Sequence, residues 1–154
     1  MNRDESAGSV PVVAVAERVI GADPAQVWAL VADPMRVGDW AGLETVGYMG
    51  TELPKTGQVV FVRSRRGLFK SRTRRVEVQQ WEAGSRYRCE IKPENRAAVC
   101  FQLAMTPEVT GSAIATRIKL TQTTRVPRVG SSLVERYVGA QLTKRLDRIE
   151  KTLR

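Results

Sequence analysis

The chain has 154 residues, of which 42% are hydrophobic, and it carries 25 Lys and Arg against 16 Asp and Glu. Its formal net charge of +9 favours anionic partners, but charge alone does not choose among nucleic acid, membranes and acidic ligands. Histidine is absent, which excludes Ser-His-Asp and Cys-His catalysis, histidine-bound metals and imidazole acid–base chemistry.

The first ten residues are mostly polar and lack the apolar segment of a signal peptide. We interpret residues 1–10 as a disordered leader and residues 11–154 as a single domain. No run in the sequence approaches the roughly 20 consecutive apolar residues of a membrane span. Together these features predict a cytoplasmic protein.

The sequence of residues 12–40 predicts one strand followed by two short helices. Residues 12–20 are β-branched and apolar enough for a strand. Asp23 can cap the helix that follows, and Pro24 suits its first position. Pro34 ends that helix, and Met35–Trp40 is interpreted as a second, shorter one. The corner resembles a helix-turn-helix, but its exposed side chains are too few and too short to read DNA.

Six further segments have the composition of strands and are separated by turn signals. They are approximately residues 44–53, 57–64, 68–80, 86–92, 97–106 and 112–121. Such short gaps join antiparallel neighbours. In the hairpin of 86–92 and 97–106, the hydrophobic register places Cys89 and Cys100 on opposite faces, so we predict two free thiols and neither a disulfide nor a metal site.

The last segment, residues 132–153, has apolar residues at steps of three and four and predicts a long amphipathic helix. Ser132 and Glu135 have the spacing of a capping box, and Arg145 is assigned with other charged residues to the polar face. Gly139 costs this helix about 1 kcal/mol relative to Ala. Close packing and room for a ligand are both open explanations for it. The apolar face must cover the sheet, which predicts an α+β fold.

Three motifs carry a family resemblance. They are the run Ala22–Trp40 with its Ala-x-Pro-x-x-Val-Trp opening, Val76–Val78 followed by Glu82–Tyr87, and Met105–Pro107 leading to Gly111. They resemble the START/SRPBCC superfamily of helix-grip proteins, in particular bacterial polyketide cyclase/dehydratase-like members. The resemblance covers about residues 10–153. It implies a curved seven-stranded antiparallel sheet wrapped around the C-terminal helix, with two short helices after strand 1 and a cavity between sheet and helix.

Seven basic residues lie between positions 63 and 75, and a solvated hairpin surface is the simplest explanation for them. If Val76 and Val78 face the cavity, however, the two-residue period of a strand puts Arg74 on the same side unless a bulge intervenes. Arg63 is a weaker candidate by the same argument. Either cation could pair with an anionic or carbonyl-rich ligand. The other predicted cavity residues are Tyr87, Phe101, Leu103, Thr116, Ile118, Tyr137 and Trp40.

These observations favour binding of a small hydrophobic or amphipathic ligand, such as a lipid, quinone or polyketide-like molecule, for transport or sensing. A polyketide aromatase/cyclase or dehydratase is the alternative, although we identify no catalytic residue and no carboxylate pair inside. A basic module for an anionic partner is a third hypothesis. No cofactor, metal or nucleic-acid partner is predicted, while peripheral contact with an anionic membrane and homodimerisation stay open.

Overall fold

The computed structural model describes residues 8–49, 56–64, 73–92 and 97–154. The elements in chain order are β1 (Ser9–Ile20), α1 (Pro24–Val31), a 3-10 helix (Pro34–Arg36), α2 (Val37–Trp40), β2 (Leu43–Met49), β3 (Val59–Ser64), β4 (Arg74–Glu82), β5 (Arg86–Lys92), β6 (Val99–Thr110), β7 (Ala113–Pro127) and α3 (Ser131–Thr152). This succession confirms the predicted α+β order. Because β1 begins at Ser9, the predicted leader boundary at residue 10 falls inside a strand. Within the described ranges, no helix combines the length and apolar composition that crossing a membrane requires.

The strands form one antiparallel sheet in the order β1-β7-β6-β5-β4-β3-β2. The first and last strands are neighbours, and β1 pairs with β7 along its full length, Ser9–Ile20. On the other side of the sheet, β3 pairs with β4 over residues 59–62, and backbone hydrogen bonds of Gly57 and Gln58 with Val78 extend this contact. The strand order leaves the sheet open, with β1 at one edge and β2 at the other.

Two irregularities bend the half of the sheet that contains β2 to β5. The register between β2 and β3 shifts between Thr45 and Gly47, and the register between β4 and β5 shifts between Val78 and Gln80. An extra residue on one strand bends that strand and increases its twist. The sheet accordingly has the helix-grip form that the family resemblance implies.

Helix α3 packs against β1, β7 and α2. Val138, Leu142, Leu146 and Ile149 are buried, which confirms most of the predicted apolar face. Leu133 is 68% exposed, whereas its neighbour Val134 packs against the core. The buried stripe of the helix is therefore narrower than the apolar spacing predicts.

The predicted capping box of Ser132 and Glu135 is wrong. The helix begins at Ser131, and its N-cap is Gly130 with φ 83°, which makes no side-chain capping hydrogen bond. A left-handed residue at this position needs glycine, so the backbone turn itself fixes the start of the helix. By contrast, Asp23 caps α1 as predicted, because its carboxylate accepts a hydrogen bond from the Ala25 N–H at 2.8 Å.

The predicted placement of the two cysteines on opposite faces of the hairpin is confirmed. Cys89 lies opposite Phe101 on the buried face of the hairpin, whereas Cys100 lies opposite Glu90 on the other face. Both thiols are free. Cys89 is buried and Cys100 is half-buried, so the hydrophobic register of β5 and β6 was read correctly from the sequence.

Candidate ligand-binding site

A cavity of about 110 Å³ lies between the bent half of the sheet, the α1–α2 corner and helix α3. Most of its wall is apolar, and the lining residues are Val31, Ala32, Asp33, Pro34, Val37, Trp40, Ala41, Leu43, Thr45, Gln58, Val60, Val62, Val76, Val78, Trp81, Tyr87, Cys89, Ile91, Phe101 and Arg145. A single water needs about 10–15 Å³ of such space, whereas pockets for drug-sized ligands measure about 300–1,000 Å³. The cavity therefore has room for one ring or a short acyl segment.

A continuous series of aromatic rings runs along one side of the cavity. Trp81 stacks on Tyr87 with ring centroids 5.3 Å apart and an interplanar angle of 18°. Trp28 packs against Trp81 at 5.2 Å. Tyr87 and Trp40 each lie 6.3 Å from the ring of Phe101. Such contacts hold large side chains in fixed positions, so this wall is a preformed apolar surface.

The β-bulge on β4 brings Trp81 into this wall. Val78 lies opposite Cys89, and Trp81, three positions later, lies opposite Tyr87. A regular strand returns to the same face every two residues, so without the shift Gln80 would face Tyr87 instead. The bend of the sheet and the aromatic wall thus have one cause.

The Tyr87 hydroxyl is buried and donates a hydrogen bond to the Val31 carbonyl at 2.9 Å. Burial raises the pKa of Tyr87 well above its ordinary value; Cys89 raises it further, and the nearby Arg145 opposes the shift. The phenol therefore stays neutral and ties β5 to the end of α1. In this structure its hydroxyl has a structural role, because it donates its proton to a backbone carbonyl.

Arg145 is the one lining residue with a positive charge among those that the structure describes. Its guanidinium carbon lies 5.5 Å from the centroid of the Phe101 ring, within the range of a cation–π contact. Desolvation by burial lowers the pKa of Arg145; Tyr87 raises it, and Arg148 lowers it again. In the described part of the chain this guanidinium makes no ion pair and no hydrogen bond.

The structure brings Tyr87, Phe101 and Trp40 of the predicted set together in the cavity wall. Trp40 is only 3% exposed, and its indole Nε1 is buried without a hydrogen-bond partner among the described residues. Whether these three side chains contact a ligand stays a prediction. Tyr87 and Phe101 have the inward orientation that the strand pattern predicts.

Three other predicted residues lie in the core away from the cavity. Leu103, Thr116 and Ile118 are fully buried. The Thr116 hydroxyl donates to the Ala22 carbonyl at 2.8 Å, so it joins β7 to the start of the α1–α2 corner. Their inward orientation was predicted correctly, but helix α3 and the corner fill the space in front of them.

The predicted position of Tyr137 is wrong. This side chain is 64% exposed, and its hydroxyl accepts a hydrogen bond from Gln141 Nε2 at 2.8 Å on the helix surface. Tyr137 and Leu133 lie four residues apart and flank the buried stripe that contains Val134 and Val138. The apolar spacing therefore predicts a wider face than the one that is covered.

The two predicted cavity cations are both exposed. Arg63 lies on the outer face, because the cavity-facing residues of β3 are Val60 and Val62, and its guanidinium pairs with Glu44 at 3.0 Å. The orientation predicted for Arg63 is therefore wrong. Arg74 has the predicted parity, since it lies opposite Val62, but its side chain is exposed at the end of β4. The bulge on β4 lies beyond Val78 and does not change that parity, while residues 65–72 of the basic segment lie outside the described residues.

The cavity cation is Arg145, so its predicted position on the polar face of α3 is wrong. The spacing of Val138, Leu142, Arg145 and Ile149 is four, three and four, which keeps all of them on one face. The position of an arginine within an apolar stripe is the sequence signal that identifies it. An assignment of every charged residue of α3 to the polar face overlooks this position.

The family described as polyketide cyclase/dehydrase and lipid transport matches residues 11–154, and the chain belongs to this family. It is therefore a ligand-binding domain of the START/SRPBCC type, as the sequence motifs indicate. A comparison with curated proteins gives no match.

Solved structures share the fold at low sequence identity. A protein from Rhodobacter sphaeroides is 14% identical with a TM-score of 0.71, over 92% of this chain and 91% of that one. Norcoclaurine synthase from Thalictrum flavum in complex with dopamine and hydroxybenzaldehyde is 13% identical with a TM-score of 0.68, over 99% and 91% of the two chains. A protein from Mesorhizobium loti is 14% identical with a TM-score of 0.68, over 90% and 94%. At these identities the likeness concerns the fold alone.

Proposed function

We propose that this protein binds a small hydrophobic or amphipathic molecule, with a ring or a short acyl segment inserted in the cavity between sheet and helix. The observation that carries the proposal is the preformed aromatic wall around about 110 Å³ of space. A domain of this size normally fills its interior at close to crystal density, so a maintained apolar cavity needs an explanation. Binding or transport of a lipid, quinone or polyketide-like molecule supplies one.

Catalysis is the less supported alternative. A cyclase or dehydratase needs a group that gains and loses a proton near neutral pH. In the cavity wall the Tyr87 hydroxyl is committed to a backbone carbonyl. Burial, followed by the neighbouring Cys100, raises the pKa of Cys89 to about 12. The Asp33 carboxylate accepts the Met35 N–H at 2.9 Å and caps the 3-10 helix. These described groups favour a binding role.

The test is a titration with fluorobenzene, a neutral one-ring probe, followed by fluorine NMR. We expect saturable binding by the wild-type protein. Val62→Phe places a ring in the cavity and should weaken binding at least about tenfold, since the probe then has no space to enter. Val13→Phe, on the half-exposed outer side of β1, is the matched control and should bind as the wild type does.

Native mass spectrometry of the freshly purified protein complements the titration by identifying any molecule that co-purifies. Melting curves of both variants establish that they are folded. Absence of saturable binding by the wild type, or equal binding by Val62→Phe, would refute the proposed function.

A further inference from the structure

We propose that the ligand carries a carboxylate or a similar oxyanion beside its apolar group, and that Arg145 binds this oxyanion at the cavity wall. The inference rests on the proposed function, because it concerns the same cavity. It extends that function by assigning the chemical class of the ligand and the residue that selects it.

The first argument is the missing counter-charge. A partly buried guanidinium presents five N–H donors, and charges removed from water are normally paired. The acids that follow Arg145 on α3 are engaged elsewhere: Asp147 and Glu150 both pair with Arg18 of β1. Asp33 also lines the cavity, but it caps the 3-10 helix and makes no ion pair with Arg145. A ligand oxyanion would supply the counter-charge that the described residues do not.

The second argument is the neighbouring positive charge. Arg148 lies one helical turn after Arg145, and its Nη1 is 3.2 Å from the position that a Cβ at Gly42 would occupy. This places Arg148 beside the loop between α2 and β2, which adjoins the cavity wall. In the described residues Arg148 has no acidic partner either. Two guanidinium groups one turn apart, without an acid, produce a positive potential on this side of the cavity.

The third argument is the arrangement of donors around the apolar space. Arg145 and Trp40 both contact the ring of Phe101, at 5.5 and 6.3 Å. The indole N–H of Trp40 has no acceptor in the described residues. A neutral and a charged donor thus flank one aromatic ring beside a ring-sized space. Arg145 fits an oxyanion particularly well, because its planar fork can make two parallel hydrogen bonds to one carboxylate.

The experiment compares two probes of the same shape, 3-phenylpropionate and its neutral amide 3-phenylpropanamide, by isothermal titration calorimetry and ligand-observed NMR. The wild type should bind the carboxylate at least about tenfold more tightly than the amide, as expected for a hydrogen-bonded charge. Arg145→Met should lose this preference and still bind the amide. Lys144→Met removes the same charge from the adjacent exposed position and should keep the preference.

Methionine keeps an apolar stem over Phe101, so Arg145→Met should melt no lower than the wild type. Arg145→Lys keeps the charge without the planar fork and should give an intermediate preference, which provides a second variant. Equal binding of the two probes by the wild type, or an unchanged preference in Arg145→Met, overturns this inference while fluorobenzene binding still supports the proposed function. Failure of all three probes to bind the wild type overturns both.

Discussion

Burial sets the chemistry of single residues in the cavity wall. Tyr87 and Cys89 both lie on the inner face of β5, and burial raises the pKa of each. Both are neutral near pH 7, whereas an arginine keeps its charge in such a place because its ordinary pKa exceeds 12. The same desolvation therefore keeps the Tyr87 phenol and the Cys89 thiol neutral and leaves Arg145 as a cation facing apolar space. This arrangement supports the proposed binding of an oxyanion.

The two cysteines test this effect of burial. At pH 8, a thiol with a pKa of about 12 is ionised in about one molecule in ten thousand, and the thiolate is the reactive form. We expect iodoacetamide to modify Cys100 and to leave Cys89 unmodified in the native protein. Peptide mass spectrometry measures both sites, and the urea-unfolded protein, where both should react, is the control. Equal native rates would show that Cys89 is not shielded.

The same shift has a consequence for stability at alkaline pH. An unfolded thiol has a pKa of about 8.5, so the raised pKa of Cys89 contributes fully below that pH and its contribution is lost as the pH rises toward 12. The free energy of unfolding should therefore fall over this interval. Cys89→Ala should make the fall less steep, as urea titrations at several pH values would show.

The sequence predicts well which helices and strands exist and in what order they come. It predicts less reliably which side chains of each strand or helix are buried. β5 was predicted with its exact bounds, Arg86–Lys92, because turn signals flank it and its buried and exposed residues alternate. The sequence of β3 does not show which of its faces is buried. Val59, Val60 and Val62 are all buried, so buried and exposed residues do not alternate along this strand. That is why Arg63 was assigned to the wrong face.

Helix α3 shows a different limit of sequence reasoning. The periodic pattern identified the helix, but only the surrounding structure determines how far the covered face extends. Tyr137 lies on that pattern and is exposed, while Arg145 lies on it and lines the cavity. Long polar side chains can border an apolar region because their stems are apolar. The composition of the site therefore depended on which flank of the apolar stripe is covered, and sequence periodicity does not show this.

Gly139 provides a test of how helix propensity contributes to the stability of α3. A Cβ added there would meet no atom within 4 Å, so close packing does not explain this glycine. Gly139→Ala should raise the free energy of unfolding by about 1 kcal/mol through helix propensity. Gly130→Ala, at φ 83°, should instead lower it, because alanine is strained in the left-handed region. Urea unfolding measures both changes, and a loss of stability in Gly139→Ala would contradict the prediction.

The whole molecule is built on one core that spans most of the chain. β1 and β7 pair although they are far apart in sequence, and α3 covers them. All three tryptophans belong to it, since Trp40 lies in the core and Trp28 and Trp81 pack against it. Helix, sheet and aromatic wall therefore share their buried contacts. No part of the described structure forms a separate core of its own.

Cooperative unfolding follows from this arrangement. We expect tryptophan fluorescence, which reports on the cavity wall, and far-UV circular dichroism, which reports on sheet and helix, to give the same urea midpoint. Coincident curves would support a single transition. A fluorescence midpoint well below the dichroism midpoint would mean that the cavity half of the sheet opens first.

The uneven pairing of the sheet also bears on how fast a ligand can come and go. β1 is held to β7 through twelve residue pairs, whereas the described pairing of the opposite edge strand, β2 with β3, has six pairs and a register shift. Bending of β2 away from β3 would leave the β1–β7 ladder intact. Leu43 and Thr45 of β2 line the cavity. We therefore expect the residence time of a bound molecule to depend on how often this edge of the sheet opens.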